Sequence, residues 1–511
     1  MKRGCLICFS LLLMLLQQSC SKAEEEIIPE EPHVHPNISS AVLKVECNQL
    51  NLISDVIGVV EDTMIVFNVP NITANNEFVG HFTFEGEYLS VEDHKFEKDS
   101  PIELIFDKPL DILTVGDHGE EKNYHLQLNY FTGLPVCWIE TENKSPILSK
   151  EEYVNGKFSI IYNGRTRCYT DIKDAIVQVK GRGNSTWTEY PKKPYRLKFE
   201  TKQTLFGEAS DKSWVLLANY YDKTMLANHI AFTMGRDSKL DYTPCDHFCE
   251  LILNGVYQGT YQISEKIKID KNRVNVGKDG YLLEIDGYAR QEADAKYFST
   301  KNLTQVINIK DPDVEYGDES YTWVKEYINE ADSVLYSENF LDPEKGWRKY
   351  YDFDSCVDYY LINEIVKNTD FVWWNAWMHL SRGGKICMGP LWDYDNAFGL
   401  YVRGGSENPE GFWCKNQPWF VRMFDDPQFV AAVKERFRYF YSRKEVYLTE
   451  INKYANYLEP SVIENDRKWN ILYNAVFGNN EILGAYYNEV TTIKRWLATR
   501  FEWLNSAYNE I

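Results

Sequence analysis

The chain has no surplus of positive charge and, beyond its first residues, no paired cysteines at metal-finger spacing and no long apolar run. Its 511 residues carry 55 Lys and Arg against 76 Asp and Glu, a formal net charge of −21. A nucleic-acid binder presents a basic face, so no DNA or RNA partner is expected. Apart from Cys5 and Cys8, which leave with the N-terminal apolar segment, the 11 cysteines include no Cys-x-x-Cys pair, which leaves a structural zinc site without support. After residue 16 nothing approaches the ~20 apolar residues that a membrane-spanning helix needs. Internal repeats are absent too. What is present is a globular composition, 44% hydrophobic and 26% charged, in a chain too long for one ordinary domain. Aromatics reach 15%, a richness that large cores absorb.

The N-terminus reads as a targeting segment. Lys2 and Arg3 precede the apolar run Cys5 to Leu16, which is short enough for a signal peptide over residues 1–19. The sequence QQSC then resembles a bacterial lipoprotein signal, with Cys20 as the lipidated mature N-terminus. The following SKAEEE resembles the acidic tag of Bacteroides-group lipoproteins that face the exterior of the outer membrane. Ordinary secretion with cleavage nearby is the other reading. Residues 20–36 are acidic and proline-rich without periodicity, and form a tether.

Residues 37–132 alternate apolar and polar residues in short runs such as MIVFNV, FVGHFTFEG and NYHLQLNY. That pattern predicts a small Ig-like β-sandwich. From residue 133 to 511 the order is strands first, then helices, an α+β arrangement. LILNGVYQGTYQIS carries an Asn254-Gly255 hairpin turn. DFDSCVDYYLINEIVKN and NEVTTIKRWLATRFEWLNSAY have helical spacing. Tyr401 to Trp413 reads as a glycine-rich surface loop. The remaining cysteines are single and read mostly as small buried hydrophobes, with pairing of some left open.

Chemistry concentrates in three places. KGRGNSTW has Gly181 and Gly183, which let backbone approach a ligand, and the donors Asn184 and Ser185, a loop able to hold phosphate oxygens. In PKKPYRLKFE, Tyr195, Leu197 and Phe199 share one strand face and Arg196 and Lys198 the other. A lysine on a strand after a glycine loop is how kinases hold ATP phosphates, although a solvated basic edge strand has the same pattern. Last, NTDFVWWN and GPLWDYDNAFG crowd carboxylates among aromatics. Asp370 and Asn375 have the spacing of a catalytic aspartate and a metal-binding asparagine. Asp393 and Asp395 follow as further metal ligands. Mg²⁺ takes one or two carboxylates plus phosphates, so a metal would account for acids in apolar company.

The ordered series VKGRGNSTW, PKKPYRLKF, ELILNGVYQGTYQISEKI, NTDFVWWN and GPLWDYDNAFG resembles the spore-coat-protein-H (CotH) kinase-like family. The resemblance implies an atypical protein-kinase domain over residues 133–511. It further implies ATP and Mg²⁺ as ligands and a Ser/Thr acceptor on a partner protein. By position it makes Lys198 a phosphate ligand, Asp370 the catalytic aspartate and Asp393 a metal ligand. Glu265 is a candidate partner of Lys198 or a nucleotide-hinge residue, with Glu208 the other candidate partner. The chain lacks the His-Arg-Asp and Asp-Phe-Gly tripeptides of ordinary kinases. Two alternatives stay open: a non-catalytic surface lipoprotein that binds glycans or proteins, and a glycoside hydrolase with a carboxylate pair.

Overall fold

The computed structural model describes residues 34–49, 52, 55–69, 76–130, 132–162, 164–400, 405–476 and 481–511. The signal segment, Cys20 and most of the tether lie outside the described residues. Among those described, no helix is long and apolar enough to cross a membrane. All eight described cysteines are free, five of them buried.

Residues 37–130 form nine strands in one continuous order, hinged where Val56–Glu61 pairs with Met64–Val69. The two wings fold onto one core. Phe67 from one wing meets Phe82 from the other edge-on, with ring centroids 6.5 Å apart. Tyr124 OH accepts the backbone N–H of Ile38 across the same gap at 2.9 Å. Alternation puts Phe78, Phe82 and Phe84 inward, as the pattern in FVGHFTFEG predicts. The parallel pair Met64–Val69 with Glu121–Tyr130 is not foreseeable from alternation, which carries no strand direction.

The larger part opens with a closed seven-stranded barrel. Its order is Val136–Thr141, Val154–Ile161, Ile172–Gly181, Tyr195–Gln203, Asp211–Leu217, Val256–Glu265 and Asp246–Leu253, closed by a parallel pairing of the last on the first. The Asn254-Gly255 turn joins two of these strands, both residues in the left-handed region (φ 53° and 83°), as a two-residue hairpin requires. Tyr195, Leu197 and Phe199 fill the barrel. The opposite face of the same strands is not simply solvated. Val215, the cross-strand partner of Arg196, belongs to the core of the neighbouring sheet and helices.

That second core is built on an antiparallel five-stranded sheet, ordered Tyr297–Phe298, Ile307–Asp311, Tyr281–Asp286, Trp374–Leu380 and Cys387–Met388. Helices Glu319–Leu335, Phe353–Ile365, Pro427–Ser442, Lys444–Trp469 and Tyr486–Glu510 pack around it. The two helices read from periodicity are present. The strand Trp374–Leu380 interrupts what reads as a helical half. Most of its residues are buried, and a strand covered on both faces loses its alternation. The arrangement is α+β, strand-rich first and helical later.

Candidate active site

The Phe353–Ile365 helix delivers Asp370. Asp352 caps its start by accepting the N–H of Ser355 at 2.8 Å. After the helix, Asn368 Oδ1 accepts the N–H of Asp370 at 3.1 Å, and the Asp370 carbonyl accepts from Trp373 and Trp374. This tight turn holds Val372 at φ 71° and Asn375 at φ 60°. A β-branched residue resists that region. The buried Phe371 beside it, stacked on Phe420 at 5.5 Å, anchors the turn that forces Val372 there.

The second acidic loop is fastened from another direction. Asn228, buried on the Ala227–Arg236 helix, accepts the N–H of Tyr394 at 2.9 Å. Phe232 of that helix lies against Trp392 and Tyr394. The two loops then meet side by side. Asn375 Nδ2 donates to Asp393 Oδ2 at 3.1 Å, and Asn396 Nδ2 donates to Asp370 Oδ2 at 2.6 Å. Burial pushes the Asp393 carboxyl above its usual range, against the pull of Arg182 and the Asn375 hydrogen bond. Asp395 is pushed well above it by burial, with Asp393, Asp370 and Asp222 adding like charge.

Cations face these acids from the barrel side. Between its two glycines the loop presents Arg182, whose guanidinium lies 5.6 Å from the centroid of Trp392. Burial lowers the Arg182 pKa, while Asp393, Glu284 and Asp395 hold it up. Gly181 is required here: a Cβ would fall 2.4 Å from the Trp187 ring. Gly183 sits at φ 80°, which only glycine adopts freely. Arg196 shares this field, and its buried Nε has no hydrogen-bond partner among the described residues. Lys266 is drawn down to about 8 by burial and by Arg196. Like charges so crowded, with a donor left unmade, are a setting for a bound polyanion.

A further polar group completes the wall. Glu284 and Asp286, two apart on Tyr281–Asp286, share a face. Lys310 Nζ reaches Glu284 Oε2 at 3.1 Å and Asp286 Oδ2 at 3.4 Å. Burial raises Glu284 to about 7 in spite of Lys310.

The predicted residues therefore divide. Asp370, Asn375, Asp393 and Asp395 come together, with Arg196 in the cation group opposite. Asn184 accepts a hydrogen bond from Lys150 Nζ at 3.2 Å, and Ser185 begins the one-turn helix Ser185–Thr188. Lys198 is exposed and lines an open groove of about 780 Å³ with Lys157, Gln178 and Lys212; the acidic loop contributes nothing to that groove. Glu265 does not pair with Lys198. It faces Arg273 Nε at 3.3 Å and accepts from Tyr242 OH at 2.8 Å. Glu208 is bonded to His247. Sequence reasoning passed over Arg182, Lys266, Glu284, Asp286, Lys310 and Asn396. Arg182 lies inside KGRGNSTW, between the two glycines that mark the loop. Asn396 directly follows the Asp-Tyr-Asp triplet.

The acids suit a hard divalent ion. Asp393 and Asp395 are half-buried and raised, the condition a cation relieves, while Asp370, Asp393 and Asp395 do not form a closed three-carboxylate cage. Mg²⁺ prefers such partial protein coordination.

The profile of the CotH kinase protein family matches residues 179–504, more than half of the chain. The chain belongs to the CotH kinase family. No curated protein matches. A crystal structure from Bacteroides thetaiotaomicron, provisionally named a glycoside hydrolase, aligns at 12% identity over 37% of this chain and 53% of that one. This chain thus spans about half of that protein, and the TM-score of 0.15 is too low for any shared fold to be argued.

Proposed function

We propose that this CotH family member transfers the terminal phosphoryl group of a nucleotide to a Ser or Thr hydroxyl of an acceptor protein. The observation that carries this reading is the opposition of Arg182 to Asp393 and Asp395, with Arg196 and Lys266 next in the cation group and Asp370 close to Asp395. Nucleotide phosphates, ATP in the first instance, fit the cation side. Asp393 and Asn375, with Asp395 beside them, would hold Mg²⁺, which neutralises phosphate charge as it develops. Asn396 orients the Asp370 carboxylate, and Asp370 accepts the proton of the attacking hydroxyl. Glu284, Asp286 and Lys310 keep the cation group in register.

The placement at the cell envelope rests on the residues around Cys20: a lipid anchor in the outer membrane, facing outward. Titration calorimetry of the purified chain with Mg²⁺–ATP, followed by transfer of labelled phosphate to an envelope protein fraction, tests the reading. Saturable binding that needs the metal, and label on Ser or Thr, are expected. Absence of heat with every Mg²⁺–nucleotide would falsify it and favour a binding lipoprotein.

A further inference from the structure

Among the described residues, two clusters outside this site each bring three metal-capable side chains together, with ligand atoms within 4.8 Å of one another: Glu208 with Cys245 and His247, and Asp241 with His379 and Cys387. The first is already closed. His247 Nε2 and Glu208 Oε1 are hydrogen-bonded at 2.8 Å, and the imidazole is stacked on Phe206 with centroids 4.3 Å apart.

The second is open. His379 and Cys387 are direct cross-strand partners, so their side chains leave the sheet on one face. The His379 side chain is 5% exposed, and its Nδ1 lies 3.2 Å from the carbonyl of Gly389. A carbonyl only accepts, so the proton sits on Nδ1 and Nε2 carries the lone pair. Metal-binding histidines are prepared in this way. Nε2 faces Asp241 Oδ2 at 3.6 Å. That gap exceeds hydrogen-bond length. It is close to the roughly 3.3 Å that separates N and O ligands in a tetrahedron with bonds of about 2.0–2.1 Å. The Asp241 side chain is 71% exposed, so ions have a path in.

We propose that Asp241, His379 and Cys387 bind a thiophilic divalent transition metal, zinc being the ion that fits. One sulfur, one nitrogen and one oxygen suit a borderline-soft ion rather than Mg²⁺ or Ca²⁺. Water takes the fourth position, and the Cys387 thiol releases its proton to solvent when the metal–sulfur bond forms. The ion ties the loop after Ala227–Arg236 to the hairpin Trp374–Leu380 and Cys387–Met388. Asn375 lies on the first strand of that hairpin, and the second leads directly to Asp393. The site is thus a clamp behind the acidic loops, and its occupancy does not depend on any nucleotide being bound.

The test uses the full chain, stripped with a chelator and titrated with Co²⁺, then Zn²⁺. One equivalent of Co²⁺ is expected to give a thiolate-to-cobalt charge-transfer band that Zn²⁺ displaces. Cys387→Ser should abolish the band, and His379→Gln should weaken cobalt binding by at least roughly tenfold. Cys245→Ser, in the other cluster, should leave the band in place. A second measurement needs no variant: Zn²⁺ should slow alkylation of Cys387 in the unaltered chain, read on the peptide that carries it. A cobalt complex without the thiolate band, a band that survives Cys387→Ser, or an unchanged alkylation rate overturns the site.

Discussion

Two charge groups in the helical part of the molecule differ in how their charges are answered. Glu364 and Arg500 are both fully buried and face each other at 2.6 Å. Every guanidinium N–H of Arg500 has an acceptor: the Glu364 carboxylate and carbonyl, and the carbonyls of Pro409 and Gly411. Glu364 also accepts the N–H groups of Trp413 and Lys415 at 2.8 Å each. Asp393 and Asp395 are half-buried, desolvation raises both, and the cations opposite include a donor without a partner. The first group is satisfied within the chain and holds the segment 405–411. The second keeps raised carboxyls and an unmet donor, which the proposed metal and nucleotide would relieve. A charge answered internally is architecture, and one left unanswered is a candidate site.

The largest break in this comparison should come from the reacting group. Asp370→Asn is expected to lower phosphoryl transfer by about 10²–10⁴, with nucleotide binding by calorimetry nearly intact. An equal loss of both would assign Asp370 to binding.

Next comes the satisfied pair. Arg500→Met strands the Glu364 carboxylate in the core and should cost about 3–5 kcal/mol of stability by urea unfolding. Asp393→Asn, at the unsatisfied group, should cost far less in the absence of metal.

Third, Arg182→Met removes a charged donor from the cation wall. A hydrogen bond to a charged group contributes about 1.5–3 kcal/mol, so Mg²⁺–nucleotide affinity should fall roughly ten- to a hundredfold. Lys198→Met, in its separate groove, should change affinity less. The reverse order would return the phosphate contact to the strand lysine.

The smallest effect concerns pH. Glu284 is raised from the usual glutamate value to about 7 by burial. A raised carboxyl favours the fold below its unfolded pKa, and that contribution is lost as pH climbs through about 7. Glu284→Gln should therefore gain stability relative to the unaltered chain between pH 5 and pH 8, seen in paired urea midpoints. A constant difference would show that Lys310 compensates fully for burial and for the like charge of Asp286.

Much of this was legible from residue patterns, because it depends on local rules. Alternation placed Phe78 and Tyr195 inward, Asn254-Gly255 announced a hairpin, and spacing picked out Asp370, Asn375 and Asp393. Alternation assigned Arg196 and Lys198 to one face of their strand, and the structure gives them that face. It did not say that the second core covers the Arg196 end alone, which leaves Lys198 in a groove. Trp374–Leu380 resisted reading because a strand buried on both sides has no period.

Sequence by itself determined the class of the molecule, α+β with a net negative charge, and the crowding of carboxylates among aromatics in its two acidic loops. Composition and spacing act along the chain. Only the tertiary structure decided which cations face those acids, for Arg182 and Asp393 lie far apart in sequence and approach through the docking of a barrel on a sheet. Burial decided the rest: a carboxylate's proton affinity depends on what surrounds it in space.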